Sequence, residues 1–187
     1  MKNKIISIIL SILLVALICA SFVTTYNQNR SGTVSAATCN ISAENKEYIL
    51  NRYGGCKTAE ELIIRLNDEI CTEYTYYRPF VIFQHFDFDN FIKTKKGLCF
   101  DYSCYLKTVF NTIFPEMKVF VCDVRIDFFN YHSYNFVETD SKRYFVDLTT
   151  DQYKYKNGQK RIIYEDIGNL SYDEYTKQFN EKILNFH

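Results

Sequence analysis

Apolar residues in the first half of the chain repeat at the three- and four-residue spacing of amphipathic helices. Thr58 and Glu61 have the spacing of a capping box, and the apolar repeat follows them through Leu62, Ile63, Leu66 and Ile70. This pattern predicts a helix that begins at Thr58 and ends near residue 73. Similar patterns predict three further helices, over 42–52, 87–95 and 99–114.

The pattern changes to an alternation of two residues after residue 116. It predicts four strands, over 117–124, 132–138, 144–148 and 161–164. The polar segment between the second and third strands has the composition of a turn, so these strands are expected to form a hairpin. Ser171 and Glu174 form a second capping box, which predicts a C-terminal helix. Helices followed by antiparallel strands are typical of an α+β domain, here with the helix that begins at Cys99 packed on the sheet.

The first 23 residues have the pattern of an export signal or a membrane anchor. Two lysines precede residues 5–23, which carry no charged side chain and are nearly long enough to span a bilayer. Residues 24–37 have the composition of a polar linker, and 38–187 is long enough for one domain with its own core. We expect a cleaved signal, with cleavage after Ala20 or Ala37, and a secreted protein. The alternative is an uncleaved anchor that attaches the domain to the extracellular face of the membrane.

Composition excludes several classes of function. Lysine and arginine together number 22, aspartate and glutamate also number 22, and the basic residues form no stripe with aromatic side chains between them. We therefore expect no binding of nucleic acid. The chain has no C-x-x-C pair and only three histidines, which disfavours both a structural zinc site and a dithiol redox protein. We expect no cofactor and no metal.

Seven cysteines leave the disulfide pattern open. An oxidising exterior permits disulfides, and a bond from Cys39 to Cys56 or Cys71 would tie the N-terminal segment to the domain. Cys104 lies about 140° around its helix from Cys99. We therefore expect Cys104 to face the core.

Three short segments carry side chains that together can perform thiol chemistry. They place a cysteine at the start of a helix, a histidine at the start of a strand and an aspartate near the end of the next strand: Cys99, His132 and Asp147. A cysteine reacts as the thiolate, which a nearby base and the free N–H groups of a helix N-terminus both favour. The predicted hairpin brings His132 and Asp147 side by side, where the aspartate can orient the imidazole. The sequence therefore predicts acyl transfer by a thiol.

Each of these residues also has an ordinary structural explanation. Most buried cysteines are inert, a histidine between tyrosines can be a hydrogen-bonded core residue, and Asp147 can cap a turn. Taken singly, these explanations are favoured. The order of the three segments and their fit to the ends of a helix and two strands favour a catalytic triad when they are taken together.

The three segments resemble the transglutaminase-like superfamily of papain-like-fold enzymes. The resemblance rests on Gly97-Leu98-Cys99 before an acidic and an aromatic residue, on the strand that begins at His132, and on the segment 144–149, Tyr-Phe-Val-Asp-Leu-Thr. It covers about half of the chain. It implies a papain-like core in which Cys99 is the nucleophile, His132 the general base and Asp147 the orienting acid.

The chain departs from the family pattern at three positions, with Ser133 and Tyr134 in place of Ala-Trp and Leu148 in place of Pro. We expect none of these to touch the reacting atoms, so the resemblance implies an intact triad. The oxyanion that forms during the reaction needs hydrogen-bond donors. The side chains of Gln84 and Tyr76 are candidates by their chemistry, whereas the backbone N–H of Cys99 is favoured by its geometry.

The expected reaction is attack by the Cys99 thiolate on the carbonyl carbon of a peptide bond or a glutamine carboxamide in a protein or peptide substrate. Water or a second amine then resolves the thioester. We expect peptidase-type hydrolysis, because no lysine site for an acyl acceptor is evident, and transamidation of protein glutamine is the alternative. A non-catalytic cell-surface binding module with the same fold is the alternative from another class.

Overall fold

The computed structural model describes residues 41–77, 85–125 and 131–168, together with Leu14 and residues 170, 171, 174, 175, 177 and 178. All of these except Leu14 belong to one compact unit, Thr33–His187. The boundaries expected at residues 23 and 37 lie outside the described residues, as does the apolar run 5–23 apart from Leu14. Within the described part of the chain, no helix is both long and apolar enough to cross a membrane.

The first half of the described chain is helical, as the apolar spacing predicts. The helices are α1 (Ala43–Tyr53), α2 (Ala59–Glu73), α3 (Phe88–Thr94) and α4 (Cys99–Ile113). Ser42, Thr58 and Asp87 cap the first three, because each side chain accepts a hydrogen bond from a backbone N–H in the first turn. All four apolar residues expected on one face of α2 are buried, which confirms the pattern.

The second half forms an antiparallel sheet. Its strands, in their order across the sheet, are β3 (Lys118–Arg125), β4 (Tyr131–Glu138), β5 (Arg143–Val146) and β6 (Glu165–Asp166). The predicted hairpin is β4–β5, in which Glu138 pairs with Arg143 and Asn135 with Val146. A separate pair of parallel strands consists of β1 (Thr75–Tyr76) and β2 (Lys96–Gly97). Strand β2 comes directly before α4 in the chain.

Helix α4 packs across β3 and β4, so the expected α+β architecture is present. The amide of Asn135 in β4 donates to the backbone carbonyl of Ser103 in α4 at 3.0 Å, and Val137 on the same side of the strand belongs to the core cluster that contains α4. Tyr134 and Phe136, which alternate with them, belong to a second, aromatic cluster. The two faces of β4 therefore serve two cores, and α4 covers the face that carries the odd-numbered residues.

The structure differs from the predicted strands at two places. The strand expected over 161–164 is a loop, because the carboxylate of Asp151 accepts the N–H groups of Ile162 and Ile163, each at 2.7 Å, and Ile163 has a φ of 69°. Strand β6 lies just after this loop. The strand expected over 144–148 ends at Val146 and is followed by a fifth helix, α5 (Leu148–Lys156). Two of its three buried residues are polar, so apolar spacing does not reveal this helix.

The remaining predictions concern the cysteines and the C-terminal helix. Cys56 and Cys71 are buried free thiols, so neither forms a disulfide, and Cys39 lies outside the described residues. Cys104 is part of the core, as expected. Ser171 and Glu174 cap each other reciprocally, and residues 174, 175, 177 and 178 are helical, which confirms the start of the C-terminal helix.

Candidate active site

Cys99 is the first residue of α4. Leu98 precedes it as the N-cap, and the carboxylate of Asp101 accepts the Leu98 N–H at 2.9 Å. The N–H groups of a first helical turn have no partners within the helix, and the helix dipole is positive at this end. A thiolate at Cys99 is therefore in a favourable electrostatic position, although the residue is only 5% exposed.

The approach to Cys99 requires a glycine. A Cβ atom at Gly97 would lie 2.6 Å from Cε2 of Phe91 and 2.9 Å from Cβ of Asp101, closer than such atoms can approach. Gly97 pairs with Tyr76 in the β1–β2 sheet, and its carbonyl accepts the N–H of Tyr77 at 2.9 Å. The segment that leads to the nucleophile is thus held by packing on one side and by a strand on the other.

The β4–β5 hairpin brings His132 and Asp147 together, 15 residues apart in the sequence, with 2.7 Å between Nε2 of the imidazole and Oδ2 of the carboxylate. The expected contact is therefore present, but its register differs from a side-by-side pair. Asn135 pairs with Val146 at the end of β5, so Asp147 lies just beyond the paired residues. It reaches His132 along the diagonal of the ladder, a distance that long side chains can bridge.

Asp147 also begins α5. Its Oδ1 accepts the N–H of Thr150 at 3.0 Å, and its Oδ2 accepts the hydroxyl of Thr150 at 2.7 Å. Asp147 therefore caps a helix, as its ordinary structural explanation states, and also contacts His132. Burial raises the pKa of this carboxyl, but the charge and hydrogen bond of His132, with the two bonds from Thr150, outweigh it and lower the pKa below the ordinary value.

The imidazole of His132 joins the carboxylate to the thiol. It hydrogen-bonds the side chain of Cys99 as well as Asp147, and since Nε2 faces Asp147, Nδ1 is the nitrogen left for the sulfur. Burial lowers the pKa of His132, but the negative charge and hydrogen bond of Asp147 and the contact with Cys99 raise it to about 10. His132 is therefore an imidazolium at neutral pH.

The thiol of Cys99 shows the complementary shift. Burial raises its pKa and is the largest single influence, but it is outweighed by the hydrogen bond and charge of His132 and by hydrogen bonds from Ser133. The net effect lowers the pKa of the thiol below its ordinary value. The arrangement therefore favours a thiolate–imidazolium pair, the reactive form of a cysteine nucleophile.

The contact with Ser133 corrects one expectation. Ser133 hydrogen-bonds Cys99 through both its backbone N–H and its side chain, so this departure from the family pattern does touch a reacting atom. Strand alternation carries the signal, because Ser133 lies on the same face of β4 as Asn135 and therefore faces α4. The expectation was based on the type of residue at position 133 and did not take into account which face of the strand it lies on.

A further polar residue that the sequence did not indicate connects the parts of the site. The amide of Gln152, on α5, donates to the carbonyls of Ile70 and Tyr74, each at 2.8 Å, and accepts the hydroxyl of Tyr102 at 3.0 Å. Tyr102 lies one turn after Cys99 on α4. Gln152 thus fixes the helix that Asp147 begins against the helix that Cys99 begins.

The identity of the groups that would donate hydrogen bonds to the oxyanion stays a prediction. Gln84 lies outside the described residues. Tyr76 is 41% exposed, its ring centroid lies 6.3 Å from that of Tyr102, and its pairing with Gly97 sets it beside the segment that carries Cys99. The backbone N–H of Cys99 belongs to the first turn of α4, where N–H groups are free of helical hydrogen bonds.

Among the described residues, no group of three or more histidine, cysteine, aspartate or glutamate side chains is placed to hold a metal ion. No protein family, no curated protein and no solved structure matches the chain. Its function is therefore inferred from the geometry of Cys99, His132 and Asp147.

Proposed function

We propose that this chain is a transglutaminase-like cysteine enzyme with a papain-like core, which acts on an amide of a protein or peptide through Cys99, His132 and Asp147. One observation carries the proposal. A single imidazole contacts a carboxylate through Nε2 at 2.7 Å and also hydrogen-bonds a thiol that begins a helix. A histidine–aspartate pair that served only the fold would need no thiol at its other nitrogen.

The proposed reaction follows from the charge states that the contacts favour, a thiolate at Cys99 and an imidazolium at His132. The Cys99 thiolate attacks the carbonyl carbon, and the C–N bond breaks as His132 gives its proton to the leaving amine. His132, now neutral, then takes a proton from water as the water attacks the thioester. The thiolate leaves with the electron pair of the C–S bond, and the imidazolium is restored. Asp147 stabilises the imidazolium and holds its ring throughout.

Hydrolysis is the preferred outcome, and transamidation differs only in the second nucleophile. To test both, the full chain is incubated with a mixture of unfolded proteins and a fluorescent primary amine. New amino termini indicate hydrolysis, whereas incorporation of the amine at glutamine indicates transamidation. The Cys99→Ala variant is the control in each assay. Absence of both products, with Cys99 still reactive toward iodoacetamide, would contradict the proposal and favour the binding module.

We also propose that the enzyme acts outside the cytoplasm, secreted or anchored on the extracellular face of the membrane. The support is the uncharged run 5–23 after two lysines, a pattern typical of export. Fractionation of cells that express a C-terminally tagged chain tests this. We expect the tag outside the cytoplasmic membrane, and the mass of the product distinguishes a cleaved signal from a retained anchor. Recovery of the full-length chain in the cytosol would contradict it.

A further inference from the structure

Ser133 stands where the two halves of the site meet. It follows His132 in β4 and is only 3% exposed. Two residues along the same face of the strand, Asn135 donates to the carbonyl of Ser103 in α4. Ser103 is one helical turn after Cys99. A step of two residues along a strand and a step of four along a helix cover similar distances, so this contact agrees with the hydrogen bonds between Ser133 and Cys99.

The hydroxyl of Ser133 has a second partner in the neighbouring strand. Asp123 lies directly opposite Ser133 in the β3–β4 ladder, and its Oδ1 accepts the Ser133 hydroxyl. The backbone N–H and the side chain of Ser133 both hydrogen-bond Cys99. The hydroxyl of Ser133 therefore has two acceptors, a carboxylate and a sulfur atom.

We propose that Ser133 is a fourth residue of the site, whose hydroxyl exchanges its hydrogen bond between Asp123 and the Cys99 thiolate and stabilises the thiolate when it donates to the sulfur. The inference rests on the proposed role of Cys99 as a nucleophile. The hydroxyl carries one proton, so it serves either the carboxylate or the thiolate at a given moment. Ionisation of Cys99 draws this proton toward the sulfur, which the backbone N–H of Ser133 also bonds.

The charged groups around Cys99 come from four elements. His132 faces it from β4 with Asp147 of α5 behind the imidazole, Asp123 lies behind Ser133 on β3, and Asp101 is on α4 itself. The positive charge of His132 is unchanged by a substitution at Ser133. A change in the titration of Cys99 on removal of the Ser133 hydroxyl therefore reports the hydroxyl itself.

The test is the pH dependence of iodoacetamide alkylation of Cys99 in the full chain, measured at this site by mass spectrometry. In Ser133→Ala the apparent pKa of Cys99 should rise by about one unit, the size expected for the loss of one hydrogen bond to a charged group. At pH values below that pKa the alkylation rate should fall about tenfold. Ser133→Thr keeps the hydroxyl and should keep the profile of the unchanged protein.

The matched control is Ser103→Ala. Ser103 is also a serine with 3% exposure at the interface of α4 and β4, and its contact with Asn135 uses the backbone carbonyl. We expect its alkylation profile to match that of the unchanged protein. Melting temperatures of all variants show whether each is folded at the temperature of labelling.

A second variant keeps the inference testable if Ser133→Ala does not fold. Asp123→Asn keeps the shape of the side chain but accepts the hydroxyl proton less strongly, so the apparent pKa of Cys99 should fall. Asp123→Ala removes the same charge and also the remaining acceptor for the hydroxyl, so it should lower the apparent pKa of Cys99 further than Asp123→Asn does. Equal falls in the two Asp123 variants, or no fall, would overturn the inference.

The results separate this inference from the proposed function. A low pKa of Cys99 in the unchanged protein that stays low in Ser133→Ala would overturn the role of Ser133 and leave the nucleophile in place. An ordinary thiol pKa in the unchanged protein would overturn both. A rise in Ser133→Ala that Ser133→Thr does not share supports the inference, whatever substrate the enzyme takes.

Discussion

Two buried carboxylates of this protein have nearly the same exposure and opposite pKa shifts. Asp147 is 7% exposed and Glu69, on α2, is 5% exposed. Burial raises the pKa of both, yet the pKa of Asp147 is lowered below its ordinary value while that of Glu69 is raised above it. Burial alone therefore does not decide the charge of either group.

The partners of the two carboxylates account for the difference. Glu69 contacts Arg52 at 3.0 Å and Lys95 at 3.5 Å, but these cations are 32% and 31% exposed and both also pair with Glu73. Solvent screens them, and the charge of Glu73 adds repulsion. Asp147 instead binds the largely buried imidazole of His132 and two donors of Thr150.

The two clusters thus serve different purposes. The Glu69 cluster ties α1 and α2 to Lys95, the residue with a φ of 55° that ends α3, and the hydroxyl of Tyr105 on α4 donates to it at 3.3 Å. It holds elements together. The Asp147 cluster holds one proton on His132 next to a thiol. We therefore expect damage to the first to change stability alone and damage to the second to change turnover.

The largest effect should come from removal of the nucleophile. Cys99→Ala should reduce turnover by at least roughly three orders of magnitude, because no other group can form the thioester. Cys104→Ala is the control, since Cys104 is a core residue with 1% exposure and should retain most of the activity. Turnover and alkylation at mildly acidic pH are measured for both. Alkylation of Cys104 or Cys122 as fast as that of Cys99 would show that the nucleophile is misassigned.

The next effect should come from Asp147→Asn. The amide oxygen can still accept the Thr150 N–H and so keep the cap of α5, but the amide nitrogen cannot accept a proton from His132. Turnover should fall by roughly two or more orders of magnitude, and the free energy of unfolding should fall by roughly 3 kcal/mol because one partner of a buried charged pair is lost. Asp147→Ala removes the cap as well and should cost about 1 kcal/mol more. Normal turnover in Asp147→Asn would leave this residue with a structural role alone.

Alkaline pH should separate the two functions of His132. Its pKa of about 10 means that it can protonate the leaving amine up to that pH, above which turnover should fall about tenfold per pH unit. Alkylation of Cys99 needs only the thiolate and should continue. The stability that His132 contributes is full below about pH 6.5 and is lost as the pH rises to about 10. An alkaline limb near 6.5 in the turnover profile would show that Asp147 does not hold the proton on His132.

The sequence predicted those parts of the fold that depend on apolar spacing and capping. The α1–α4 helices, the β4–β5 hairpin, the cap at Thr58 and the capping box of Ser171 and Glu174 are examples. It also named the three residues that the hairpin and α4 bring together. It missed α5, because the buried face of that helix is largely polar: Asp151 and Gln152 are buried through hydrogen bonds to distant parts of the chain. Such contacts leave no periodic pattern.

The contact of Ser133 with Cys99 was not predicted, for a different reason. Its burial and its face of β4 follow from strand alternation, but its effect depends on which helix covers that face and on Asp123 in a strand that is adjacent only in the fold. The register of Asp147 against His132 likewise depends on where β5 ends. Residue types were therefore predictable, whereas contacts across elements were not.

The smallest effect should distinguish the two carboxylates in acid. The pKa of Asp147 is lowered, so the stability it contributes is present above its ordinary value of 3.8 and is lost as the pH falls below that value. The pKa of Glu69 is raised, so its contribution is full below its ordinary value of 4.5 and is lost as the pH rises through its higher value in the fold. The two groups should therefore change the stability in opposite directions on acidification.

Urea unfolding at about pH 5 and at about pH 3 measures this for Glu69→Gln, Asp147→Asn and the unchanged protein, because this range brackets the ordinary pKa values of both carboxyls and lies below that of histidine. Relative to the unchanged protein, Glu69→Gln should become less stable as the pH falls, since it has no carboxyl left to take up a proton. Asp147→Asn should become relatively more stable, because it has no favourable carboxylate to lose. Each difference should stay within about 1–2 kcal/mol, and Glu69→Gln should leave the alkylation profile of Cys99 unchanged. Changes of the same sign in the two variants would show that both carboxylates are held alike, and the contrast between a structural and a chemical cluster would be wrong.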